Sequence, residues 1–103
     1  MIVKMKEIVR SHRNETYNKQ RSTAKYITRD IFLNPEHVQM IRANGDMMRS
    51  LREGFIVDSN QDTLHATGFS TISLTSSATD IVVVGTVEEV RDMLMSGRRL
   101  LNG

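Results

Sequence analysis

The chain has 103 residues, with 14 Lys or Arg against 12 Asp or Glu, 39% hydrophobic residues and no cysteine. That balance suits one modest folded domain and excludes a disulfide framework, a thiolate nucleophile and any cysteine-based metal site. The opening residues reach Lys4 without the apolar stretch of a signal peptide, and the longest apolar run, Ile81 to Val84, is far shorter than the roughly 20 residues that cross a bilayer. A cytoplasmic protein without a membrane segment is the expectation.

The formal charge of +2 conceals an asymmetry. Residues 1–54 hold eleven Lys or Arg against six acids, hence +5, whereas residues 55–103 hold three against six, hence −3. A basic first half is suited to an anionic partner, and the plainer account of the same charges is a solvated face.

In chain order, residues 1–10 fit two periods, since Val3, Met5 and Val9 alternate as in a strand while Ile2, Met5, Ile8 and Val9 lie at helical spacing. From about Glu15 to Phe32 the pattern predicts an amphipathic helix: Tyr17, Gln20, Ala24, Ile27 and Ile31 fall on one arc. Arg21, Lys25 and Arg29 recur every four residues on its far side, with Asn18 and Ser22 beside them. Asn34-Pro35-Glu36 then reads as a helix start, with Asn as cap and Pro at the first position, and Val38, Ile41, Met47, Met48 and Leu51 supply an apolar face. Asn44-Gly45 interrupts that face, so the helix either bends there or gives way to a short second one, capped by Asp46 and ending at Gly54.

Beyond Gly54 the composition turns to Thr, Val, Ile and Ser. Phe55-Ile56-Val57 and Thr63-Leu64-His65-Ala66-Thr67, joined by a polar turn, read as a hairpin. Phe69, Ile72 and Leu74 mark a third strand and Ile81 to Val84 a fourth. Thr86-Val87-Glu88-Glu89 is a capping box opening a helix over about residues 87–96, closed by Gly97. The expected fold is therefore α+β: one domain over 1–103, with N-terminal helices, a three- to four-stranded antiparallel sheet from about 55 to 84, and a C-terminal helix packed on it.

Catalytic patterns are absent from the sequence. His12, His37 and His65 have no second ligand at metal spacing, there is no Gly-x-Ser-x-Gly elbow, and no Gly-rich phosphate loop occurs. Glu88-Glu89 is a carboxylate pair in sequence alone, because helical neighbours diverge by about 100°. No cofactor is called for, and a non-enzymatic regulatory binding protein is the expectation.

The cationic stripe is the feature that points furthest. Asn18, Arg21, Ser22, Lys25 and Arg29 on one helix face suit successive phosphates of a nucleic acid. A helix-turn-helix over Pro35 to Glu53, reading DNA with Arg49 and Arg52, is a weaker variant, since Met47 and Met48 open its second helix. Two other classes stand beside these. The methionine-rich helices suit docking on a protein partner, and Arg98 and Arg99 suit an oligomer that grips a small anion such as a nucleotide. The run Ile81 to Val84 projects apolar groups to both sides of its strand, which a second copy of the chain or the protein's own helices must cover. A homo-oligomer is expected on the first account.

Overall fold

The computed structural model describes residues 2–11, 25–58, 64–75 and 77–102, with the side chains of the last helix described as far as Ser96. Six strands form one mixed sheet: β1 (Val3–Arg10), β2 (Tyr26–Leu33), β3 (Val38–Ala43), β4 (Ile56–Val57), β5 (Phe69–Leu74) and β6 (Ile81–Val84). Their spatial order is β3-β5-β6-β1-β2-β4. All neighbours pair antiparallel except β2 and β4, which are parallel. Two helices complete the chain, α1 (Gly45–Arg52) and α2 (Val87–Asn102).

This architecture overturns the expected N-terminal helices and the three- to four-stranded antiparallel sheet. The described part of the supposed helix over Glu15 to Phe32 is the strand β2. Ile27 and Ile31 are four residues apart, a spacing that shares one face in a strand as well as in a helix. The β-branched and aromatic content of Tyr26-Ile27-Thr28 and Ile31-Phe32 favours the strand. Asn34 caps as expected, its Oδ1 accepting from the Glu36 N–H at 3.0 Å, but Pro35–His37 is a single 3-10 turn and β3 follows it. A bulge between Val38 and Met40 explains the misreading. The extra residue puts Val38 and Ile41, three apart, against the same core.

Asn44, not Asp46, caps α1, accepting from the Met47 N–H at 3.0 Å, and Gly54 at φ 79° lets the chain leave it. The hairpin expected over 55–67 is not formed. Ile56–Val57 pairs instead with β2, and residues 64–67 are not strand. With 38–43 extended, the helix-turn-helix falls as well. The capping box holds: Thr86 Oγ1 accepts from the Glu89 N–H at 3.1 Å and Glu89 Oε1 from the Thr86 N–H at 2.8 Å. However, α2 continues through Gly97 to Asn102.

The two helices lie on opposite faces of the sheet. Val90 and Leu94 of α2 bury Met5, Leu33, Ile72 and Val83. On the other face Met47, Met48 and Leu51 of α1 pack with Ile8, Ile56 and Phe69, because α1 carries the chain from the β3 edge across to β4 at the opposite edge. Each fully buried Ile, Val or Phe contributes about 1.5–3 kcal/mol by leaving water. β6 lies between β5 and β1, with Val83 facing the α2 core and Val82 and Val84 the α1 core. The protein's own helices therefore account for both apolar sides of Ile81 to Val84, and that run gives no reason to invoke a second copy.

Candidate functional site

β1 and β2 alternate strictly in facing direction, and cross-strand partners share a face. Odd positions turn toward α2 and even positions toward the α1 side, where Ile8 is buried. On that second side Met47, Met48 and Leu51 of α1 pack with Ile8, and Thr28 beside it is buried, whereas the ends of the two strands beyond them carry exposed side chains. Lys4 faces Phe32 there and Lys6 faces Asp30 in direct register, and all four are exposed.

Phe32 is 65% exposed, the most open large hydrophobic residue among those described. Asp30 bridges the two lysines, at 3.1 Å from Lys6 Nζ and 3.4 Å from Lys4 Nζ. The hydrogen bond from Lys6 is the main cause that holds the Asp30 carboxyl below the usual aspartate value, and Lys4 adds to it. The corner is thus an aromatic ring flanked by two ammonium groups that one carboxylate keeps side by side. Arg10, on the same side of β1 and opposite Tyr26, is also exposed.

The residues singled out from the sequence are not gathered into such a site. Asn18, Arg21 and Ser22 lie outside the described residues. Lys25 precedes β2 and stands over the Phe55 ring, its Nζ 4.4 Å from the centroid. Arg29 points to the α2 side, where its Nε donates to Glu7 Oε1 at 3.0 Å. Four residues of strand span about 13 Å, against about 6 Å in a helix, so Lys25 and Arg29 do not form part of a compact stripe. Arg98 and Arg99 fall in α2 beyond its described side chains.

A cleft of about 870 Å³ is lined by Leu51, Leu64 and Val84 together with Glu89, Asp92 and Met93 of α2. Its described lining includes carboxylates and no Lys or Arg, which is the wrong charge for the small anion considered above.

No protein-family model, curated protein or solved structure matches this chain. The site must therefore be read from its own chemistry. Among the described residues no cluster of His, Asp and Glu is placed to hold a metal ion, and no helix is long and apolar enough to cross a membrane. The exposed Lys4, Lys6 and Phe32 were missed by sequence reasoning, although the alternation Val3-Lys4-Met5-Lys6 carried the signal. A period of two puts both lysines on one side and both apolar residues on the other.

Proposed function

We propose that the protein is a binding module for single-stranded nucleic acid, which lies across the open corner formed by Lys4, Lys6 and Phe32. The observation that carries this reading is the exposed Phe32 ring directly opposite Lys4 on the paired strand. An aromatic ring on a sheet face offers a surface on which an unpaired base can stack, and adjacent cations meet the flanking phosphates. A duplex keeps its base faces covered and gains only the ionic part of that interaction.

Asp30 tempers the charge of the corner. A phosphate must displace it from each lysine it meets, so the corner adds at most two ionic contacts and binding is weak, with stacking as the main gain. Base identity is read poorly, because every base presents a π face. The basic excess of residues 1–54 supplies the longer-range attraction.

Titration of fluorescently labelled single-stranded DNA and RNA of mixed sequence at low ionic strength tests the proposal. Saturable binding, weaker for a duplex of the same length, supports it. Absence of affinity for either strand at low salt overturns it.

A further inference from the structure

We infer that β3 is the joining edge of a symmetric homodimer, in which two copies of the chain pair β3 antiparallel to β3 and continue one sheet into the other. The two edges of the sheet are unequal. β4 is only two residues long, which blunts it, whereas β3 runs for six residues and no described strand pairs with its outer side.

The ladder shows which backbone groups are offered. Asn44 N donates to Phe69 O at 2.9 Å, and in an antiparallel pair the bonded positions alternate. The N–H and C=O of Ile41 and Ala43 therefore point away from β5.

Charge and shape favour a second copy as the occupant. The only charged residue of β3, Arg42, is held by Asp80 at 2.8 Å, so the edge repels its own image little unless the two Arg42 side chains stand directly opposite. Beside it lies a groove of about 280 Å³ between Val38, Met40 and Ile41 of β3 and Leu94 and Met95 of α2. Val38, Ile41 and Leu94 join the groove to the core under α2, and Met95, which also lines it, is exposed. An identical strand brings the same neutral, apolar edge with matching length and twist.

The register follows from the same residues. Centring the two-fold axis on Ile41 sets Ile41 against Ile41 of the second copy, and Met40 against its Arg42. Centring it on Arg42 would set two guanidinium groups face to face, which is unfavourable. The axis stands perpendicular to the sheet, so both copies turn the same face to the same side.

The absence of cysteine makes the test clean. In a bonded antiparallel pair the Cα atoms are about 5.5 Å apart, inside the range a disulfide spans. Ile41→Cys is expected to form a covalent dimer under mild oxidation, and Val57→Cys on the β4 edge is not. Light scattering of the unaltered chain should give twice 11.7 kDa at micromolar concentrations. Ala43→Pro removes an outward N–H at an edge position where proline is tolerated. It should weaken dimerisation by about tenfold or more while circular dichroism stays unchanged. A mass of 11.7 kDa up to millimolar concentration, or equal cross-linking of the two cysteine variants, would overturn the inference.

Discussion

Arg29 stands directly opposite Glu7 in the β1–β2 ladder, and its Nε donates to Glu7 Oε1 at 3.0 Å. The Glu7 side chain is only 12% exposed while that of Arg29 is 63% exposed. The pair therefore shields a carboxylate that the sheet has largely removed from water. Arg29→Gln should lower stability by about 1–2 kcal/mol, less than a fully buried pair because solvent already screens the guanidinium. Chemical denaturation measures this. Arg29 faces the α2 side and Phe32 the other, so single-strand affinity should change by less than about twofold, beyond the small loss of net charge. A large loss of affinity without loss of stability would return Arg29 to the binding surface.

Thr28 makes the opposite case. It is 1% exposed, next to the buried Ile8 across the ladder, and its Oγ1 has no hydrogen-bond partner among the described residues. A buried hydroxyl without a partner costs about 1–3 kcal/mol relative to a satisfied one. Thr28→Val keeps the β-branched shape and removes the unpaired oxygen, so it should raise stability by about 1 kcal/mol. Thermal or urea unfolding that shows a loss instead would mean that the hydroxyl is satisfied in solution.

The start of α2 links stability to pH. Glu89 accepts hydrogen bonds from the Thr86 backbone N–H at 2.8 Å and from Thr67 Oγ1 at 3.1 Å. The bond from the Thr86 backbone is the larger cause that lowers its pKa below the usual glutamate value, and Thr67 adds to it. The folded state therefore favours the ionised form. This contribution is complete above the ordinary glutamate pKa and is lost as pH falls through the lowered one. Glu89→Gln should flatten that part of the stability profile and leave the neutral side less stable. Thr86→Ala, which removes the reciprocal cap, should cost about 0.5–2 kcal/mol at neutral pH. A cost indistinguishable from zero would show that the cap does not hold the helix start.

Local chemistry was legible in the sequence where it acts over three or four residues. Thr86 and Glu89 announce their helix start, Asn34 its cap, and Ile81 to Val84 its strand, because each signal is complete within a few positions. Spacing alone misled where two periods coincide. Ile27 and Ile31 share a face in either conformation, and the bulge after Val38 gave a strand the three-residue spacing of a helix. The parallel pairing of Ile56–Val57 with β2 joins residues about 30 positions apart and leaves no local trace. The site was missed for a related reason. Phe32 falls at the end of the expected helix, and only the ladder that sets Lys4 against it makes the two one surface.

The most direct test of the proposed function is the salt dependence of single-strand binding by three proteins: the unaltered chain, Phe32→Ala, and the double variant Lys4→Gln with Lys6→Gln. Fluorescence anisotropy at several salt concentrations gives the slope of log affinity against log salt. The unaltered chain should bind at low salt, and Phe32→Ala should weaken binding by about 1–3 kcal/mol per stacked base with its slope unchanged. The double variant should lose about 0.7 from the slope for each phosphate contact removed, roughly 1.4 in all. Affinities and slopes that are the same for all three proteins would contradict the account, because binding would then lie away from the Lys4, Lys6 and Phe32 corner.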